Sequence, residues 1–188
     1  MIKNYLFLLF ALVITALGCS DRTSKSADNT PVANTESKVQ VNPLLADTVA
    51  VKKWIVGVIE EFFDEHELPS AERMKKYFTD DYSNYKQDAL NLEYDNGDST
   101  LTEEAFKKKW QHKYDIRYVG SGGYFIDAQD YGKIKVVLCQ LIKHIGKDAS
   151  LYNVIIRDLD FKTNYHRKFK IIVQDNKLRI DDIIELSK

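Results

Sequence analysis

The segment RKFKIIVQDNKLRIDDIIEL, Arg167 to Leu186, decides the fold. Its charged and apolar residues alternate. His166, Lys168 and Lys170 fall on one face of a strand, whereas Leu178, Ile180, Asp182 and Ile184 share a parity in the second half. Asp175-Asn176 stands between the halves as a tight-turn pair, so Arg167–Gln174 and Leu178–Leu186 read as an antiparallel hairpin.

The same period of two runs back through Leu151–Leu159, Lys133–Lys143 and Tyr124–Gln129, which predicts five strands with short connections. Gly120-Ser121-Gly122-Gly123 marks where the pattern changes. It lacks the Lys-Ser/Thr of a phosphate loop and reads as a turn. Upstream the period is helical. Val51, Trp54, Ile55, Val58, Ile59 and Phe62 recur at steps of three and four behind an Asp47 cap, and Pro69 ends that segment. Ser70–Phe78 reads as a short helix, and Tyr82, Tyr85 and Ala89 mark another. Asp95 to Ser99 form a turn cluster. A further helix then starts on Thr102, with Leu101 stapled to Phe106 and a core stripe of Phe106, Trp110 and Tyr114. Helices first and strands after is an α+β order: N-terminal helices packed against a curved antiparallel sheet, residues 47–188 forming one domain.

The first 18 residues read as a secretory leader. Lys3 gives the positive start, Tyr5 to Leu17 the apolar run, and Gly18-Cys19-Ser20 the small-residue step. The run falls short of the roughly 20 residues that span a bilayer. Ala16-Leu17-Gly18-Cys19 resembles the lipobox of bacterial lipoproteins, in which the cysteine is lipidated and becomes the first mature residue. Residues 1–18 are then the lipoprotein signal peptide, and residues 19–46 the lipidated Cys19 and a flexible tether rich in Ser, Thr, Asp, Asn, Ala and Lys. That tether spans about 25 to 30 Å at the scaling of a flexible coil. Stable anchoring would require more than one acyl chain. Ser20 rather than Asp after the cysteine implies the outer membrane by the enterobacterial rule, on its periplasmic face or at the cell surface.

With Cys19 so occupied, Cys139 has no intrachain partner, and its apolar surroundings mark it as a small buried hydrophobe. Hydrophobic residues make up 44% of the chain, enough for a core, and the formal charge of −1 carries no basic excess for nucleic acid. His66, His112, His144 and His166 form no HxH or HxxxH pair, and Asp95, Asn96, Asp98, Glu103 and Glu104 do not fit the twelve-residue calcium loop. No metal or cofactor is expected. Lys107, Lys108 and Lys109 read as a solvated face or an acidic partner's docking site, as do the outward His166, Lys168 and Lys170.

Strand parity places two polar side chains inward. Gln140 shares it with Ile134, Val136, Leu138 and Ile142, and Asp182 with Leu178, Ile180 and Ile184. A buried carboxylate needs a partner, for which Arg157 is one candidate, and that pairing would keep Asp182 ionised. A bulge beside Asp181 would swap the faces of Asp181 and Asp182.

A long amphipathic first helix, short helices and strands closing on Leu178-Arg179-Ile180-Asp181-Asp182-Ile183 resembles the nuclear transport factor 2-like, or cystatin-like, cone-shaped fold. With the lipobox, the chain is similar to bacterial envelope lipoproteins of unknown function built on that domain. The family's usual tryptophan in the last strand is Leu178 here. The resemblance implies a pocket between the concave sheet and the first helix, to which Gln140, Asp182, Arg157, Tyr82, Tyr85 and Trp54 would contribute. In isomerase-like members a pocket carboxylate is the base and a tyrosine donates a hydrogen bond, roles that Asp182 with Tyr82 or Tyr85 would fill. The leading expectation is a non-enzymatic, membrane-anchored envelope lipoprotein that binds an envelope protein or a small apolar ligand. The alternatives are an isomerase- or hydrolase-like enzyme using the pocket carboxylate, and an immunity-type inhibitor of a cell-wall-targeting toxin.

Overall fold

A computed structural model describes residues 40–64, 75–93, 101–120 and 123–187. The order is α1 (Pro43–Ala46), α2 (Thr48–Phe62), α3 (Asp80–Glu93), α4 (Glu103–Trp110), a 3-10 turn at Ile116–Tyr118, then β1 (Ile134–Ile145), β2 (Ala149–Asp158), β3 (Thr163–Gln174) and β4 (Lys177–Ser187). The four strands form one antiparallel sheet in the order β1-β2-β3-β4. This is an α+β architecture.

The local signals act as their chemistry requires. Asp47 caps α2 by accepting from the Ala50 amide at 2.9 Å, and Thr102 caps α4 through the Ala105 amide at 3.2 Å. Asp175 and Asn176 both adopt positive φ, 51° and 56°, between paired Gln174 and Lys177. A two-residue turn of that hand matches the twist of the flanking strands. The Asp95–Ser99 turn lies outside the described residues, as does most of the Ser70–Phe78 helix, of which 75–77 are helical.

Three expectations change. The tether was expected to run to residue 46, yet α1 belongs to the fold: Leu45 is fully buried and the Asn42 amide donates to the Lys147 carbonyl at 2.7 Å. Tyr124–Gln129 is no strand. Phe125 and Ile126 are buried in an irregular segment, and the Phe125 carbonyl accepts from a side chain, Arg167 Nε at 3.2 Å. Finally, β1 and β4 do not keep a single parity. Val136 pairs with Ile156 and Leu138 with Ile155, which leaves Val137 as an extra residue, and Ile142 is skipped in the same way. On β4, Lys170 pairs with Asp182 and Ile171 with Ile180, so Asp181 is the extra residue. Each bulge exchanges the faces beyond it.

The core lies between the inner face of the sheet and the helices. Tyr152, Val154 and Ile156 of β2, Phe169 and Ile171 of β3, and Ile180 and Ile183 of β4 are buried. Val51, Ile55, Val58 and Ile59 of α2 are buried with them. Beside this apolar layer stands an aromatic stack: Tyr85 packs against Tyr114 at 4.4 Å and Phe106 at 5.7 Å, tying α3 to α4.

Candidate functional site

Of the six residues expected to share a pocket, Asp182 is within electrostatic reach of Tyr82 and Tyr85, whereas Gln140, Arg157 and Trp54 stand apart from them. Gln140 is exposed, because the bulge at Val137 turns Cys139 and Leu141 onto the inner face in its place. Arg157 is exposed and donates to Asn164 Oδ1 at 2.7 Å, so it does not partner Asp182. Trp54 is only partly buried. It sits at the edge of the α2 stripe, whose core side is carried by Ile55 and Val58. Tyr82 and Tyr85 are fully buried in the aromatic stack. Cys19 lies outside the described residues. Cys139 is partly buried, and burial pushes its thiol up to about 11, which suppresses the reactive thiolate.

Three constellations remain. The first is a cleft of about 580 Å³ between α2, residues 75–77 and the β3–β4 hairpin, with Trp54, Tyr77 and Leu178 among its walls. A second hollow of about 450 Å³, over Ala50 and Gly57, shares Trp54 and Tyr77 with it. Lys75, Lys76, Lys177 and Arg179 edge the first, and Lys53 edges the second. Glu61 is the acidic member among the described residues, 3.8 Å from Lys76 Nζ. Arg179 fixes one wall by donating from Nη1 to the Lys76 carbonyl at 2.7 Å.

The second surrounds the β4 bulge. Asp181 is buried, accepts from Thr79 Oγ1 at 3.0 Å, and pairs with Lys170 Nζ at 2.8 Å. Asp182 is partly buried, and desolvation raises its carboxyl to about 7. Lys170 opposes the rise, while Asp181 and Asp115 add to it. Its charge reaches Tyr82, Tyr85 and Tyr114, whose hydroxyls burial drives far above the usual phenol range. Asp182 is therefore not held ionised by Arg157, which bonds Asn164: desolvation raises its carboxyl by more than the Lys170 charge, itself paired with Asp181, lowers it.

This shift fixes a pH dependence. Between about pH 4 and 7 the folded chain holds the Asp182 proton that the unfolded chain has released, so stability falls as pH rises through that window and levels above it. Asp182→Asn should remove roughly 1 to 3 kcal/mol of that slope and make the variant the more stable protein at pH 8. Parallel melting curves for the two proteins from pH 4 to 8 would contradict the assignment.

The third constellation was missed in the sequence. Lys86 of α3 and Arg167 of β3, 0% and 1% exposed, flank the Glu185 carboxylate of β4 at 2.9 and 3.1 Å. Lys86 also donates to the Val119 carbonyl at 2.5 Å. Gly120, at φ 68°, lies against Glu185 so closely that a Cβ would overlap the carboxylate. The Val119 carbonyl is thus held by α3 through Lys86, and the Phe125 carbonyl by β3 through Arg167. The signal was present: Lys86 lies within the Tyr82, Tyr85, Ala89 stripe, and Arg167 shares parity with Tyr165 and Phe169.

No family model, curated protein or solved structure matches this chain. No group of three metal-ligating side chains occurs among the described residues.

Proposed function

We propose that the chain is a bacterial envelope lipoprotein, anchored through Cys19, whose domain is a nuclear transport factor 2-like cone acting as a binding module rather than an enzyme. The observation that supports this reading is the cleft at Trp54: Trp54, Tyr77 and Leu178 in a hollow open to solvent, with no His, Cys, Ser or Asp among the described side chains that line it. The expected transaction there is capture. A second reading rests on Asp182, whose carboxyl near 7 meets the tuning that a general base requires, beside the tyrosines that the isomerase-like comparison calls for. Against it, Asp182 lines neither hollow beside Trp54.

Two measurements test the proposal. Metabolic labelling with a fatty acid should mark the wild-type chain and leave Cys19→Ala unlabelled and released from the membrane fraction; retention of that variant sinks the anchor. Native mass spectrometry of the chain purified from its own envelope should show a bound species that Trp54→Ala loses and Asp182→Asn keeps. A turnover activity that disappears in Asp182→Asn while its melting temperature holds would instead establish the isomerase-like reading.

A further inference from the structure

The chain as a whole is close to neutral, with a formal charge of −1, yet the cleft at Trp54 gathers cations. Lys53, Lys75 and Lys177 are exposed and make no ion pair among the described residues. Arg179 and Lys76, the latter 3.8 Å from Glu61, add to them, and Glu61 is the one carboxylate among the described residues that line the two hollows. Low-dielectric walls beside clustered charge of one sign focus the field and raise the local concentration of a counter-ion.

The apolar part of the cleft has its own chemistry. Trp54 and the buried Tyr77 line both hollows, and Leu178 of the hairpin lines the larger. A volume of about 580 Å³ falls inside the range of small-molecule sites, roughly 300 to 1,000 Å³. A partly exposed indole lining a hollow favours a flat or alkyl group, whereas the rim favours an oxyanion. Neither half by itself selects a ligand; a molecule that carries both satisfies the whole cleft.

We propose that the cleft between α2 and the β3–β4 hairpin takes a single soluble anionic amphiphile, its apolar body on Trp54 and Leu178 and its carboxylate, sulfonate or phosphate head between Lys75 and Lys177. This deepens the binding-module reading by giving the ligand a class, and it narrows the small apolar ligand expected from sequence to one with a charged head. The rim excludes cationic molecules of the same shape, since like charge brought into such a site costs free energy with nothing to offset it.

The test is equilibrium dialysis of the full chain in neutral maltoside micelles against empty micelles, with 2-naphthyl phosphate as probe and (2-naphthylmethyl)ammonium as its cationic counterpart. The phosphate should be retained and the ammonium at least about tenfold less, a difference of about 1.4 kcal/mol. The double variant Lys75→Glu/Lys177→Glu should weaken the phosphate about tenfold or more and lose most of its salt dependence. Both lysines are exposed, so the double variant should melt with the wild type. Trp54→Ala should abolish retention while the protein stays folded, because the side chain is only partly buried. Equal retention of both probes, a phosphate insensitive to the double reversal, or no retention at all overturns the proposal. If native mass spectrometry still shows a Trp54-dependent species in that event, the binding module stands and only its ligand class falls.

Discussion

Glu185→Ala should cost about 3 to 5 kcal/mol, because it removes the carboxylate that the two buried cations share. The Lys86 ammonium is 0% exposed and the Arg167 guanidinium 1%, so neither can recover water when its partner goes. Lys86 keeps the Val119 carbonyl and Arg167 the Phe125 and His166 carbonyls, dipoles that do not replace the lost charge, and Asp127 adds its charge at Arg167. For a domain of this size the loss corresponds to a fall in melting temperature of roughly 2 to 4 °C per kcal/mol. The loop that carries Val119, Gly120 and Phe125 should loosen first, visible as faster amide exchange there than in β2. Replacing all three charges together, Lys86→Met, Arg167→Met and Glu185→Leu, should restore most of the stability, since an apolar set of similar volume needs no desolvation of ions. If Glu185→Ala loses less than about 1 kcal/mol, water reaches the cluster and the burial argument fails.

Phe125→Ala should be comparably damaging, at about 3 to 5 kcal/mol. The ring is fully buried although its segment has no regular structure, and it meets Phe62 at 4.9 Å, Phe78 at 5.6 Å and Phe169 at 6.0 Å. These partners come from α2, from the residue that bridges to Ile180, and from β3, so the cavity would open where helices and sheet meet. The surrounding backbone is held by sheet pairing and by the Arg167 bond, which limits collapse into the space. Phe125→Leu keeps most of the volume and should cost less than about 1.5 kcal/mol. A urea titration separates the outcomes: a lower midpoint with an unchanged slope reports lost packing, whereas a changed slope reports a loosened native state. The effects of Glu185→Ala and Phe125→Ala should not add, because Arg167 joins the two sites.

Much of the architecture was written locally. Helices before strands, the Asp47 and Thr102 caps and the turn at Asp175-Asn176 all depend on residues within four positions of one another. Spacing can report such features because backbone hydrogen bonding in helices and two-residue turns closes over that distance. Strand existence was legible for the same reason, from Ile134 to Ser187. Tyr124–Gln129 shows the limit. Its run of apolar residues satisfies burial equally well in a loop, provided that a distant side chain takes the place of a ladder partner.

The orientation of side chains was decided elsewhere. Whether Gln140 faces inward depends on the extra residue at Val137, and the bulge there is set by how β1 meets β2, not by any residue type that marks it. Arg157 had the right charge for Asp182 but stands on the wrong strand, and Lys170 on β3 reaches Asp181 first. Trp54 fits the apolar stripe of α2, yet the neighbouring hairpin and residues 75–77 make it a cleft wall. Sequence by itself determined the α+β order, the caps and the hairpin turn, because those follow from steric and hydrogen-bonding rules between near neighbours. The tertiary structure alone decided which charges are buried: Lys86 and Glu185 lie 99 positions apart, and desolvating either is tolerable only when folding brings the other to 2.9 Å.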